Sequence, residues 1–308
     1  MDTDLLVPFR KGGEESMNIV PSGQALGARI EDVDLSRPLG ADDREAIVQA
    51  LGRYGVVSFP RQSLEAASLK GFASRFGTLE VNVANAYQEP GHPEVMILSN
   101  IVENGKPLGL ADAGQDWHTD MSYSKTVAFA NVLYGIKIPR RDGQPLGCTE
   151  FANMHQAYDD LPDDLKTKLA GRTATHDFNK FWEKMRQEKG SKRPPLTEEQ
   201  RRQKPPVSQP IFLTHPITGR LVLYANPGYA VQIDGMDKAE SDEILDFLFR
   251  HQLQDKYRYK HLWTEHDVLM WDNFGTLHNA VADYGPDEHR LIKRCQVMAD
   301  EILARAAA

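Results

Sequence analysis

The pattern of apolar and polar residues predicts a chain built mainly of short β-strands, with a few helices between them. Short apolar or alternating runs bounded by turn residues are typical of strands, and longer amphipathic stretches are typical of helices. Strands are predicted at residues 56–59, 127–138, 211–214, 221–225, 268–271 and 290–298, and helices at 41–52, 63–76, 161–169 and 239–253. This order favours a mainly β fold with flanking helices, namely a double-stranded β-helix (a jelly-roll, cupin-like fold).

Residues 178–210 differ in composition from the rest of the chain. They hold nine Lys and Arg against four Asp and Glu, a net charge of +5 (nine minus four) in a chain of net charge −8. A charged stretch with little apolar periodicity is commonly a solvated excursion. The alternative is a lid or insertion that closes over a reactive site, with the aromatic residues at its base touching substrate.

The remaining organisation predicts one domain. The chain has 308 residues, of which 41% are hydrophobic, enough to bury a large core. No internal repeat and no linker interrupts residues 17–308, which we expect to form a single domain. Residues 1–16 precede the predicted elements and are expected to form a flexible N-terminal arm, with an alternative start of the chain as the other interpretation.

Charge and cysteine usage narrow the class of protein. A net charge of −8 argues against general binding of nucleic acid or membranes, which calls for basic patches. The chain has no apolar run long enough for a transmembrane helix, and its acidic start is unlike a signal peptide. Cys148 and Cys295 are expected to be buried, reduced thiols. A cytoplasmic protein acting on a small molecule is therefore predicted.

His118, Asp120 and His278 carry the most specific chemistry. In an extended strand, residues i and i+2 point to the same side, so His118 and Asp120 can reach one metal ion. A second histidine from a strand remote in sequence completes the facial ligand set of non-heme Fe(II). Three positions on the metal then remain open for a bidentate co-substrate and O₂. Because the chain has ten His, an isolated His-x-Asp pair is a weak signal, and the prediction depends on the residues after His278.

Two arginines come after His278 and a predicted turn at residues 285–287. Arg290 and Arg294 would share one strand face with Ile292. If that face is the interior, each buried guanidinium needs an anionic partner and is suited to a carboxylate. An iron triad with a nearby arginine meets the physical requirement for binding 2-oxoglutarate. The alternative is an edge strand with both arginines in solvent.

These residues and several further blocks together resemble the taurine/2,4-dichlorophenoxyacetate (TauD/TfdA) family of Fe(II)- and 2-oxoglutarate-dependent dioxygenases. The resemblance runs from about residue 17 to about residue 301, in the family's order. It is carried by residues 28–36, 55–60, 72–77, 117–120, 149–151, 269–273, 278, 290 and 294.

The resemblance implies a role for each site residue. The implied iron ligands are His118, Asp120 and His278. The implied partners of the distal carboxylate of 2-oxoglutarate are Thr149, Arg290 and Trp263. The implied reaction is hydroxylation of a small, anionic organic substrate, with 2-oxoglutarate and O₂ consumed and succinate and CO₂ released. The family often forms homo-oligomers, dimers or tetramers.

The implied substrate residues are Arg294, Asn82, Asn85, Tyr123 and Phe178. Asn82 and Asn85 stand where the taurine enzyme has a His and a Tyr, so taurine itself is disfavoured. Phe178 fits an apolar wall, and Tyr123 is either a pocket residue or a packed core tyrosine. The carboxylate of Asp120 disfavours halogenation, which uses a small residue there. Cys148 stands where the family often has an Asp before the threonine, so that turn is expected to differ.

Two other functions remain open at this point. One is a catalytically silent jelly-roll protein that binds a metal or a small molecule. The other is a zinc hydrolase with the same ligands, although no general base is evident. His155, His176 and His215 lie outside any ligand spacing and are predicted to be structural.

Overall fold

The computed structural model describes residues 17–81, 87–189, 191 and 194–306. In these residues the α-helices are α1 (Ala41–Tyr54), α2 (Ala66–Ala73), α3 (Met154–Asp159), α4 (Asp163–Leu169), α5 (Phe178–Glu188), α6 (Glu198–Gln203), α7 (Lys238–Gln252) and α8 (Asp300–Ala306). The strands are β1 (Asn18–Pro21), β2 (Ala28–Glu31), β3 (Val56–Phe59), β4 (Gln88–Glu89), β5 (His92–Ser99), β6 (Val102–Glu103), β7 (Lys106–Pro107), β8 (Ala128–Lys137), β9 (Arg140–Arg141), β10 (Gln144–Pro145), β11 (Thr149–Asn153), β12 (Thr173–His176), β13 (Val207–Pro210), β14 (Phe212–Thr214), β15 (Leu221–Leu223), β16 (Ala230–Ile233), β17 (Arg258–His261), β18 (Val268–Asp272), β19 (Thr276–Ala280) and β20 (Leu291–Met298).

An eight-stranded sheet with the order β1-β2-β3-β18-β8-β20-β5-β4 forms the main wall. Its strands pair antiparallel, except for β2 with β3, which are parallel. Two three-stranded sheets have the orders β17-β11-β19 and β13-β12-β16, and β6-β7, β9-β10 and β14-β15 are two-stranded. The chain is therefore mainly β with flanking helices, as predicted.

Two apolar clusters hold these layers together. The larger one joins the main sheet to residues of α1 and α2 such as Leu51 and Phe72. The smaller one joins Leu133, Trp271 and Ile292 of the main sheet to Phe151 of β11. Burying each such side chain contributes about 1.5–3 kcal/mol. The smaller cluster therefore fixes the β17-β11-β19 sheet against the main sheet. The candidate site lies where these two sheets meet.

The helices and strands that the sequence predicted are present, but several begin or end at other residues than predicted. The predicted helix 41–52 continues to Tyr54, because the residue with positive φ (69°) that ends it is Gly55. Gly52 instead lies inside the helix, where a Cβ would come within 2.6 Å of Ile217. The predicted helix 161–169 begins only at Asp163, after Pro162 in an extended conformation. The predicted helix 63–76 is also shorter, at Ala66–Ala73.

The expectation of a solvated excursion at residues 178–210 is wrong for its first part. Asp177 caps helix α5 by accepting a hydrogen bond from the backbone of Asn179, and α5 buries Phe181 and Met185. These side chains share one helix face with Phe178, at spacings of three and seven residues. The stretch therefore contains an amphipathic helix that its many charges conceal.

Two predictions made from composition concern the cysteines and membrane-spanning helices. Cys148 and Cys295 are both buried, free thiols, which confirms that prediction. None of the helices in the described part of the chain is long and apolar enough to cross a membrane.

Candidate active site

The two candidate histidine ligands are joined by their backbones. His118 and His278 form an isolated antiparallel bridge, with N···O distances of 3.1 and 3.0 Å. The predicted extended strand through Asp120 is wrong, since the chain turns here and Met121 takes a φ of 56°. A turn, rather than strand alternation, therefore brings Asp120 next to the bridge.

The three side chains converge. One ligand atom from each of His118, Asp120 and His278 lies within 4.8 Å of the others, which makes a group able to hold a metal ion. The Nε2 atoms of His118 and His278 lie 3.2 and 3.7 Å from the Asp120 carboxylate oxygens. Nδ1 of His118 donates to the carbonyl of Asp116 at 2.7 Å, which fixes the ring with its Nε2 toward Asp120.

The charge states suit a cation. Burial opposes ionisation of Asp120, but the hydrogen bond from His118 and the charges of His278 and Arg294 outweigh it, so the pKa of this carboxyl lies far below its ordinary value. Burial and the neighbouring His118 lower the pKa of His278 to about 3. A carboxylate beside a neutral imidazole is the donor set that Fe(II) accepts.

A buried amide fixes the orientation of Asp120. Asn131 on β8 is fully buried and donates to Oδ2 of Asp120 at 2.9 Å, while Gln296 donates to Oδ1 of Asn131 at 3.3 Å. Arg294 also approaches Oδ2, at 3.8 Å. Oδ2 is thus held by Asn131, and Oδ1 faces Nε2 of His118 at 3.2 Å, so a metal bound by both residues would meet Oδ1.

Replacing Asn131 with alanine is expected to weaken Fe(II) binding by about 10–100-fold, the usual effect of losing such a supporting contact. The measurement is a competitive Fe(II) titration of the apoprotein with a chelator. The matched control is Gln252→Ala, which removes another fully buried amide that donates to Ala225. An Fe(II) affinity equal in the two variants would contradict this role for Asn131.

The three residues predicted to bind 2-oxoglutarate are all buried. Thr149 begins β11, and its Oγ1 accepts a hydrogen bond from Nε1 of Trp263 at 3.0 Å. Arg290 is buried just before β20, and its backbone is held at both ends, by Asn100 and by Ser99. The prediction that Arg290 lies within the strand is wrong, because the strand begins at Leu291 and its register shifts there.

Arg290 is a buried cation. Burial lowers the pKa of its guanidinium, and Tyr284 opposes that effect. In the described residues no carboxylate forms an ion pair with Arg290.

The turn before Thr149 differs from the family pattern, as expected. Asp283 accepts a hydrogen bond from the backbone of Gly147 in this turn, at 2.7 Å. Asp283, which is remote in sequence, thus supports this turn in place of the aspartate that the family often has at the position of Cys148.

An aromatic row extends from the metal ligands toward α6. The ring of Phe181 lies 4.8 Å from that of His118, and Tyr229 lies 5.4 Å from Phe181. Tyr123 then lies 4.7 Å from both Tyr229 and Phe178. Tyr123 and Phe178 are partly buried against Phe181, Met185 and Tyr229, and a contact of either residue with substrate stays a prediction. Asn82 and Asn85 fall outside the described residues.

Sequence reasoning missed several of these residues. Asn131 gave a weak signal, as an amide in the apolar run 127–138, and Phe181 gave another, three residues after Phe178. Tyr229 and Gly228 gave none. A Cβ on Gly228 would come within 2.5 Å of Cβ of His118, so this glycine allows the close packing behind the ligand.

The three histidines predicted to be structural make buried contacts with other protein side chains and lie outside the group of candidate metal ligands. Nε2 of His215 lies 2.7 Å from Oδ2 of Asp272, and the His155 ring packs 4.9 Å from that of His215. Nδ1 of His176 lies 3.0 Å from Oγ of Ser122. Burial lowers the pKa of His155 to about 4 and that of His176 to about 3. These contacts support the structural interpretation.

Comparisons with known proteins agree on one family. The family model described as taurine catabolism dioxygenase TauD, TfdA family matches residues 18–296. The chain is 31% identical to a pentalenolactone F synthase of Streptomyces avermitilis, over 91% of this chain and 93% of that protein. It is 30% identical to an alpha-ketoglutarate-dependent 2,4-dichlorophenoxyacetate dioxygenase of Cupriavidus pinatubonensis, over 92% and 98%. The crystal structure of a taurine dioxygenase from Burkholderia xenovorans superimposes with a TM-score of 0.74 at 26% identity, covering 92% of this chain and 89% of that one.

Proposed function

This chain belongs to the TauD, TfdA family, and from that premise we propose that it hydroxylates a small, anionic organic molecule other than taurine. It is an Fe(II)-dependent dioxygenase with 2-oxoglutarate (alpha-ketoglutarate) and O₂ as co-substrates. The names of its relatives cover chemically different molecules, so family membership does not decide the substrate. The comparisons favour this enzyme class over a silent binding protein or a zinc hydrolase.

We propose that His118, Asp120 and His278 hold the iron. The observation that carries this role is their convergence within 4.8 Å with the protonation states that a divalent cation needs. Iron bound with 2-oxoglutarate and O₂ supplies the oxidising power for an unactivated C–H bond. The chain's own contribution is to hold the carboxylate through Asn131 and to fix the ring of His118 through the carbonyl of Asp116.

We propose that Arg290, Thr149 and Trp263 bind the distal carboxylate of 2-oxoglutarate. A buried guanidinium needs an anion, and the described residues offer Arg290 no carboxylate partner. Thr149 accepts from Trp263, so its hydroxyl proton is available to a bound carboxylate. These contacts would orient the co-substrate and exclude water from its charged end.

We propose that the two facing sheets form a double-stranded β-helix. Phe151 of β11 packs with Leu133, Trp271 and Ile292 of the main sheet. The site residues come from both layers, with His278 on β19, Thr149 on β11 and Arg294 on β20. A pocket between two antiparallel sheets is the usual place for a ligand in a jelly roll.

We propose that residues 17–308 form one domain and that residues 178–210 are its lid. Helix α5 is tied to the segment before His118 by the ion pair of Lys184 with Asp116, and Ser191, three residues after α5, donates to Asp112 of the same segment. Movement is therefore expected after α5, around α6. Substrate should slow limited proteolysis within residues 194–206, and equal cleavage rates with and without substrate would contradict a closing lid.

The oligomeric state and a cytoplasmic location stay predictions. The flexible arm at residues 1–16 also stays a prediction, since these residues fall outside the described ones.

A succinate assay tests the proposed reaction. The panel is made of carboxylates, sulfonates, sulfate esters and phosphonates with apolar bodies, each paired with an uncharged analogue. At least one anion should raise succinate formation about tenfold above the substrate-free rate, and its analogue should not. Stimulation by uncharged compounds alone would contradict an anionic substrate.

A further inference from the structure

Asp116 connects helix α5 to the candidate iron ligand His118. Its backbone carbonyl accepts the hydrogen bond from Nδ1 of His118 at 2.7 Å. The N–H of the same peptide group belongs to Trp117, and it donates to Oδ1 of the Asp116 side chain at 2.9 Å. Because the peptide group is planar and rigid, the Asp116 carboxylate fixes the carbonyl that orients the His118 ring.

Lys184 of α5 holds this carboxylate from the other side. It forms an ion pair with Oδ2 of Asp116, the oxygen to which Trp117 does not donate. The Asp116 side chain is 13% exposed and that of Lys184 is 32% exposed, so water screens this pair less than it screens a pair on the open surface. The carboxylate is thus engaged at one oxygen by the backbone and at the other by α5.

Helix α5 is also held in place on the N-terminal side of Lys184. Phe181, about one turn earlier, is buried and packs its ring 4.8 Å from that of His118. Lys180 donates to the backbone carbonyl of Ala230 at 2.7 Å. The helix therefore contacts the ligand ring directly and, through Lys184, also fixes the peptide group behind it.

We propose that Lys184 is a positioning residue for the iron site, acting on the ring of His118 through the carboxylate and the peptide group of Asp116. This inference rests on the proposed role of His118 as an iron ligand, and it adds helix α5 to the metal centre. A ring whose Nδ1–H is held in one direction loses less freedom when its Nε2 binds a metal, because it is already oriented. The first part of the basic segment thus stabilises bound iron.

A direct electrostatic effect of Lys184 on iron would have the opposite sign. A cation near the site repels Fe(II), so removing that charge alone would tighten iron binding. Loss of positioning would weaken iron binding, since the Asp116 carboxylate would be free to turn away from its peptide group. The direction of the change in Fe(II) affinity therefore separates the two effects.

The experiment measures the Kd of Fe(II) for the apoprotein by anaerobic competition with a chelator, and the melting temperature of each apoprotein. The variants are Lys184→Met, Lys184→Arg, Asp116→Asn and the double variant Lys184→Met/Asp116→Asn. Asp116→Asn keeps a side-chain oxygen for the backbone of Trp117 and removes the charge with which Lys184 pairs. The matched control is Lys189→Met, which changes an exposed lysine at the end of the same helix.

Lys184→Met should raise the Kd of Fe(II) about tenfold, the lower end of the usual effect of losing a supporting contact, and Lys184→Arg should restore most of the affinity. Asp116→Asn should have a similar effect. The double variant should bind Fe(II) as well as the weaker single variant, because both substitutions act through one contact. Lys189→Met should leave the Kd unchanged, and no melting temperature should fall by more than about 3 °C.

A Kd that Lys184→Met leaves unchanged or lowers would overturn the positioning role, and so would an equal rise in Lys189→Met. Independent, additive changes in the double variant would rule out the path through Asp116. If Lys184→Met unfolds the protein, Asp116→Asn decides, and an unchanged Kd in that variant counts against the inference. Wild-type protein that binds no Fe(II) would count against the proposed iron site itself, whereas normal wild-type binding that these variants leave unaltered counts against the role of Lys184 alone.

Discussion

Asp120→Ala is expected to lower succinate formation by about a thousandfold or more. The substitution removes one of three convergent ligand groups and the only negative charge among them. Two buried imidazoles, one with a pKa of about 3, then provide no compensation for a divalent cation. A thousandfold loss corresponds to about 4 kcal/mol of transition-state stabilisation, a magnitude consistent with losing a metal's contribution.

The assay for Asp120→Ala is succinate formation at saturating 2-oxoglutarate and substrate, together with the Fe(II) content of the purified protein. Asp164→Ala is the matched control, since Asp164 is exposed in the first turn of α4. Activity within tenfold of wild type in Asp120→Ala would show that this carboxylate is not a metal ligand.

Arg290→Met is expected to raise the KM for 2-oxoglutarate about a hundredfold. Removing one partner of a buried charge pair costs about 2–5 kcal/mol, because the other charge remains buried and unpaired. Arg290→Lys should recover only part of the loss, since an ammonium ion cannot reproduce the planar, two-point contact of a guanidinium. The measurement is the KM for 2-oxoglutarate at fixed, saturating substrate.

Arg294→Met supplies the control for Arg290. It should raise the KM for the substrate and leave that for 2-oxoglutarate within about threefold, because Arg294 lies beside Asp120 and Glu80 and away from Thr149 in the proposed assignment. Similar effects of both substitutions on the KM for 2-oxoglutarate would mean that the two arginines do not have separate roles.

The sequence allowed the ligands to be predicted, because their chemistry is carried by residue type and order. It did not allow the geometry that joins them to be predicted. A backbone bridge between His118 and His278 and a turn at Met121 replace the expected strand. Asn131 acts on Asp120 from β8, and its support from Gln296 spans 165 positions. Such contacts depend on how strands pair across the sheet, which local patterns do not specify.

The positions of strands and helices were likewise predictable only in part. Strands with strong apolar runs, such as β8 and β18, lie where the sequence predicted them. Helix α5 was hidden because lysines and a glutamate separate Phe178, Phe181 and Met185. Its burial is decided by contact with His118 and Tyr229, which lie far away in sequence. Its cap at Asp177 is the one local signal that marked it.

In the proposed site, His118, Asp120 and His278 hold an iron ion that 2-oxoglutarate chelates beside the buried Arg290. The direct test is an anaerobic titration of 2-oxoglutarate into the Fe(II)-loaded protein, monitored by visible absorption. A saturable charge-transfer band should appear, should be lost in Asp120→Ala, and should need about a hundredfold more 2-oxoglutarate in Arg290→Met. Full Fe(II) loading with no band at any 2-oxoglutarate concentration would contradict chelation of 2-oxoglutarate at this iron site.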